Sequence, residues 1–160
     1  MTNWQSQTFS ANGQQIHAMI AGPENAPVMI MLHGFPEYWA AWKNVAEHLI
    51  NDWRLVLPDQ RGFNLSSKPE GVDAYNTKHM VADLDDLIQQ ISRERKVVLC
   101  GHDWGASVAY AYAMRHSERV SQLIIANGVH PVCFQKALLA CGAQTDASQY
   151  MNVLLSLIHI

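Results

Sequence analysis

The sequence predicts an α/β fold, a mostly parallel sheet with helices on both faces. Strand-like and helix-like segments alternate along the chain, a pattern that requires crossover connections. The segments APVMIMLHG, WRLVLPD, KVVLCG and RVSQLIIAN are unbroken apolar runs, as expected of strands covered on both faces. The candidate chemical groups fall just after these runs: His33 and Gly34, Asp59 and Arg61, Asp103, then Asn127 and His130. Open α/β sheets bind ligands at that carboxyl rim.

Taken in order, QTFSANGQQIHAMIAG reads as a hairpin of two short strands around Asn12-Gly13, a strong two-residue turn signal. APVMIMLHG comes next as a buried strand. YWAAWKNVAEHLI spaces Trp39, Trp42, Val45, Ala46, Leu49 and Ile50 as one helix face. WRLVLPD returns to strand, and a Gly/Ser/Pro-containing loop runs on through Gly71. NTKHMVADLDDLIQQIS is the clearest helix, with Asn76 or Thr77 as N-cap and Met80, Val81, Leu84, Leu87, Ile88 and Ile91 on one side. KVVLCG and RVSQLIIAN supply two more buried strands, with GASVAYAYAMRH as the helix between them.

Composition excludes several classes. With 160 residues, 49% hydrophobic and 16% charged, the chain is long enough for one core. A net charge of -3, with eleven scattered Lys and Arg, leaves no basic surplus for phosphates, so no nucleic-acid partner is expected. No apolar run approaches a membrane span, and MTNWQSQTFS has neither part of a secretory signal, so a cytoplasmic protein is expected. Three cysteines, Cys100, Cys133 and Cys141, lack metal-type spacing and read as reduced thiols. Neither a metal nor a cofactor is expected.

Chemistry concentrates in Gly101-His102-Asp103-Trp104-Gly105, which has the G-x-nucleophile-x-G spacing of a nucleophile elbow. Its centre is Asp rather than the usual Ser. An aspartate of ordinary pKa, about 3.9, is already ionised at pH 7 and attacks without a base to take its proton. The alternative is that Asp103 simply caps the adjoining helix. In HGFPEYWAAW, the turn His33-Gly34-Phe35-Pro36 comes after a buried strand and exposes the Phe35 N–H. Together with the Trp104 N–H it would form an oxyanion hole. An ordinary Gly/Pro turn is the competing reading.

HGFPEYWAAW, PDQRGFNLSSKP, GHDWGASVAYAYA and NGVHPVCF together resemble the α/β-hydrolase superfamily over residues 5 to about 152. The resemblance is to its aspartate-nucleophile branch: epoxide hydrolases and the related haloalkane and haloacetate dehalogenases. It favours the epoxide hydrolases, since haloalkane dehalogenases typically carry Asn where this chain has Phe35. It implies a small-molecule substrate, epoxide or organohalide, attacked by Asp103. Asn64 stands where the family's D-x-R-G-x-G-x-S loop has glycine, and Asn tolerates the positive φ required there. Asp59 and Arg61 are expected to form an ion pair bracing the rim.

The resemblance also implies a division: residues 1–130 as the N-terminal part of the core, and 131–160 as the beginning of a helical lid whose tail LLSLIHI is unlike lid sequence. SQYMN resembles the start of the lid segment where epoxide hydrolases place a ring-opening tyrosine, which makes Tyr150 that donor. A packed helix tyrosine fits equally well. None of the eight histidines stands where the family carries its water-activating base. The chain therefore reads as a truncated core, with RVSQLIIAN left as an open sheet edge prone to self-association. A non-catalytic role in binding or interaction is the alternative from another class.

Overall fold

The computed structural model describes residues 4–151, which form two compact units divided between Gly128 and Val129. The first unit is built on a six-stranded sheet. Its strands are β1 (Gln5–Ala11), β2 (Gln14–Ala21), β3 (Val28–Leu32), β4 (Arg54–Pro58), β5 (Val97–His102) and β6 (Val120–Ala126), in the order β1-β2-β4-β3-β5-β6. β3 runs parallel to β4 and β5, and β5 to β6, whereas β1 and β2 add antiparallel.

The hairpin forms as expected. Asn12 and Gly13 both take positive φ, 48° and 72°, which matches the twist of the strands they join. Every residue of β3 is buried, and its side chains alternate between two cores. Ile30 and Leu32 pack on one face with Val81, Leu84, Leu87, Val108 and Tyr112. Met29 and Met31 pack on the other with Ala46, Leu55, Leu57 and the partly buried Trp39 and Trp42. The first face is covered by α2 (Thr77–Ser92) and α3 (Trp104–Arg115), the second by α1 (Lys43–Leu49). Helices on both faces therefore explain why the central strands carry no polar interruption.

Two local expectations are corrected, and a third holds in position but not through its side chain. Residues 39–50 do not form one helix: Trp39–Trp42 is a 3-10 turn, and the α-helix begins only at Lys43. The tighter turn advances three residues per turn rather than 3.6, which shifts the phase of the α-helix after it and leaves Val45 49% exposed. Asn76 does occupy the N-cap of α2, but its side chain makes no capping bond; its carbonyl accepts the His79 N–H instead. β6, whose apolar run predicts a buried strand, contains no fully buried residue. It lies at a sheet edge among the described residues, with Leu123 and Ile125 packed partly against the core and Ile124 exposed.

Cys100 lies within β5 in the second core, and burial pushes its thiol up to about 11. Cys133 and Cys141 are exposed. At pH 8 iodoacetamide is therefore expected to modify Cys133 and Cys141 and to spare Cys100 until the chain is unfolded, since the thiolate is the reactive form. Peptide mapping with and without denaturant reads the difference; equal labelling of all three in the folded protein would contradict the buried placement.

The second unit contains α4 (Pro131–Leu139) and α5 (Ala143–Ala147). His130 is the N-cap residue of α4, with Pro131 at the first helical position. Tyr150 is 55% exposed. The tail LLSLIHI, with His159, lies outside the described residues. Among those residues no helix is long and apolar enough to cross a membrane.

Candidate functional site

Because β3, β4, β5 and β6 are parallel neighbours, their carboxyl ends share one rim. His33 and Gly34 leave β3, Asp59 to Arg61 leave β4, and Asp103 leaves β5. Asp103 sits at the strand-to-helix bend with φ 50° and ψ -117°, a conformation that L-residues rarely adopt. It occupies the N-cap position of α3, yet its side chain makes no capping hydrogen bond. Instead its Oδ1 accepts the backbone N–H of Phe35 at 2.9 Å. The carboxylate is thus turned away from its own helix and toward the turn after β3.

Two glycines make this approach possible. A Cβ on Gly34 would stand 2.6 Å from the Cβ of Asp103 and 2.9 Å from its Oδ1, so only glycine lets the two turns close on each other. A Cβ on Gly105 would meet the backbone oxygens of Leu32 and His33 at 2.4 and 2.6 Å. Gly105 thereby lets α3 begin directly against β3. Gly101 is buried, one residue before His102 at the end of β5.

His33 is fully buried and holds the turn from beneath. Its Nδ1–H donates to the Gly34 carbonyl at 2.8 Å, and its Nε2 accepts the Gln60 N–H at 3.1 Å. The Gln60 side-chain amide returns a bond to the His33 carbonyl at 2.6 Å. Both ring nitrogens are therefore committed to the neutral imidazole, and burial lowers the pKa below its ordinary 6.5. The unfolded chain then binds more protons than the folded one below pH 6.5, so stability gains from this residue above that pH and declines as pH falls toward the depressed value. Melting temperatures of wild type and His33→Gln between pH 7.5 and 5 check it: the wild type is expected to lose more of its stability across that range.

Glu37 carries no signal of a role in the sequence. Its Oε2 accepts the Gly34 N–H at 2.8 Å and lies 3.0 Å from Nδ1 of His102, the residue before Asp103. One carboxylate thus ties both turns together. Its place three residues after Gly34 is visible in the sequence, but its partner is 65 residues away. Phe35, whose N–H meets Asp103, is 39% exposed, and Trp104, the residue after Asp103, is 59% exposed; the Phe35–Pro36 bond is cis.

The expected ion pair of Asp59 with Arg61 does not form. Asp59 accepts from the Trp39 N–H, the Asn64 amide and His17 Nδ1, at 2.9, 2.9 and 2.7 Å. Arg61 instead reaches Asp83 on α2 through two bonds, Nε to Oδ2 at 2.6 Å and Nη2 to Oδ1 at 2.5 Å. Each acid and base thus finds its partner on another element rather than two residues along its own loop. Asn64 has φ 39°, the positive value expected of it.

The chain belongs to the alpha/beta hydrolase fold family, whose profile matches residues 27–140. Among individual relatives, it is 43% identical over 126 residues to AB hydrolase superfamily protein YfhM of Bacillus subtilis, covering 78% of this chain and 44% of that one. It is 34% identical to Epoxide hydrolase 2 of Caenorhabditis elegans over 151 residues, 94% of this chain and 42% of that one. The crystal structure of a Bacillus megaterium epoxide hydrolase in complex with an inhibitor superposes with a TM-score of 0.85 at 35% identity, over 91% of this chain and 50% of that one. The chain thus spans two-fifths to half the length of these relatives.

Proposed function

We propose that this chain carries the nucleophilic half of an epoxide hydrolase: Asp103 attacks an epoxide and forms a covalent aspartyl ester. The observation that carries the reading is the Asp103 carboxylate, uninvolved in capping its helix and held through Oδ1 by the Phe35 N–H. Similarity to proteins named epoxide hydrolases supports the substrate class.

In this reaction Oδ2 attacks an epoxide carbon, the C–O bond opposite it breaks, and the ring oxygen takes a proton. Tyr150 is the residue we assign to that donation, since a phenol O–H can give a proton to a developing alkoxide. The resulting hydroxyalkyl ester has Oδ1 as its carbonyl oxygen. When water adds to that carbonyl, charge develops on Oδ1, where the Phe35 N–H already donates; the Trp104 N–H is proposed as the second donor. His33, Gly34, Pro36, Gly101, His102 and Gly105 shape the two turns, and the chemistry draws only on side chains and backbone. The product is a diol. Neither tyrosine donation nor oxyanion stabilisation requires a cofactor.

The family's water-activating histidine has no counterpart among the eight histidines of this chain, so the ester formed on the 160 residues is expected to accumulate. Intact-mass measurement and peptide mapping after incubation with a small epoxide, a haloalkane and a haloacetate test the proposal. An Asp103 adduct from the epoxide alone supports it; an adduct from an organohalide alone replaces it with a dehalogenase; no adduct in a folded chain favours a binding role. Self-association through the open edge of β6 belongs to the same proposal, and sedimentation velocity over a concentration series reads it.

A further inference from the structure

A second row of reactive groups lies on the hairpin side of the sheet, separate from the Asp103 turn. The Ser6 hydroxyl stands 2.9 Å from Nε2 of His17, and Nδ1 of His17 stands 2.7 Å from Oδ2 of Asp59. Ser6 is exposed on β1, His17 on β2 is 3% exposed, and Asp59 after β4 is fully buried. Asp59 can only accept, so Nδ1 of His17 carries the hydrogen between them. In the neutral imidazole this leaves Nε2 as an acceptor aimed at the serine hydroxyl.

The row is firmly held. Asp59 is fixed by the Trp39 N–H and the Asn64 amide, and the His17 N–H donates to Ser66 Oγ at 2.9 Å. The antiparallel register sets Thr8 opposite His17, which brings Ser6 diagonally over the ring. A hydroxyl bonded to a base that is itself oriented by a buried carboxylate is the arrangement that activates serine for attack.

We propose that Ser6, His17 and Asp59 form a second nucleophilic site, one that accepts the acyl group of a small activated ester such as an aryl ester. Ser6 Oγ bonds to the carbonyl carbon while its proton passes to His17 Nε2. The bond to the aryl oxygen breaks with the electron pair on that oxygen, which takes the proton from His17 Nε2 and leaves as the phenol, so the imidazole is neutral again. Water then adds to the acyl-serine carbonyl, His17 takes its proton, and the carboxylic acid departs as Ser6 recovers its own. The exposure of Ser6 suits a small substrate with a good leaving group rather than an amide held in a deep pocket.

A fluorophosphonate tests this on the whole chain, because it presents an electrophile of the same kind and leaves a stable adduct. Serine oxygen bonds to phosphorus, fluoride leaves, and the proton goes to His17. Ser10, exposed on the same strand and without a histidine partner in the row, is an internal comparison. Peptide mapping is expected to find the phosphonyl group on Ser6 and not on Ser10, with labelling slowed on the order of 100-fold in His17→Gln and abolished in Ser6→Ala. No Ser6 adduct, equal labelling of Ser6 and Ser10, or an unchanged rate in a folded His17→Gln would overturn the proposal. If His17→Gln fails to fold, the Ser6 against Ser10 comparison in the wild type decides alone. None of these outcomes depends on Asp103, so failure here leaves the epoxide reading standing.

Discussion

Asp103→Asn is expected to abolish alkylation by a reactive epoxide, slowing adduct formation by about 1000-fold or more, while leaving the fold intact. The carboxamide keeps the shape of the carboxylate and can still accept the Phe35 N–H, so the contact at 2.9 Å survives. What it loses is the negative charge that makes the oxygen a nucleophile. Asn also tolerates positive φ better than most residues, so the bend at φ 50° does not reject it. Asp103→Gly sharpens the test. A non-glycine residue in this backbone region costs about 1–3 kcal/mol, and glycine relieves that cost. Asp103→Gly should therefore melt higher than the wild type and form no adduct. That pair of results would show strain retained at the bend for the sake of the carboxylate. An adduct in Asp103→Asn at the wild-type rate would remove Asp103 from the chemistry, and a lower melting temperature in Asp103→Gly would mean that the lost bond to the Phe35 N–H and the added freedom of the unfolded chain outweigh the strain at the bend.

Local chemistry makes much of this legible in the sequence. Asn12-Gly13 declares its hairpin because both residues accept positive φ, and a two-residue turn then fixes the register that sets Thr8 opposite His17. The period of α2 shows its buried side because Val81, Leu84, Leu87 and Ile88 meet one sheet face. The glycines around Asp103 are legible because backbone crowding leaves no room for a Cβ. What escapes is the choice of long-range partner. Nothing local to Glu37 says that it joins Gly34 to His102, and nothing local to Asp59 and Arg61 says that each bonds elsewhere. Apolar content likewise fails to distinguish a central strand from an edge strand, so β6 reads as buried although its residues are not.

The unexpected partner of Arg61 carries the second large effect. Arg61 and Asp83 have side chains only 3% and 8% exposed, and the guanidinium meets the carboxylate through two bonds. Arg61 also donates through Nη1 to the Ala74 carbonyl at 2.6 Å, and Asp83 Oδ1 accepts the Asn12 amide at 3.2 Å. The pair therefore ties the β4 rim, α2 and the hairpin turn together. Asp83→Ala leaves a buried cation without its counter-charge, which costs about 3–5 kcal/mol. For a chain of this size that corresponds to a fall in melting temperature of roughly 10 °C. Replacing both partners should behave differently, because the desolvation cost of the two charges disappears along with their attraction. Arg61→Met with Asp83→Leu is expected to recover most of the loss, by thermal melts read by circular dichroism. A double variant no more stable than Asp83→Ala would show that the bonds to Ala74 and Asn12 matter more than the charges. A single variant within about 1 kcal/mol of wild type would place the pair with exposed salt bridges, whose contribution is that small. The distinction reaches the proposed nucleophile, because the β4 rim supplies Gln60, and Gln60 holds the imidazole of His33 beneath the turn that faces Asp103. Loss of the Arg61 anchor should therefore lower the rate of epoxide alkylation even at temperatures where Asp83→Ala remains folded.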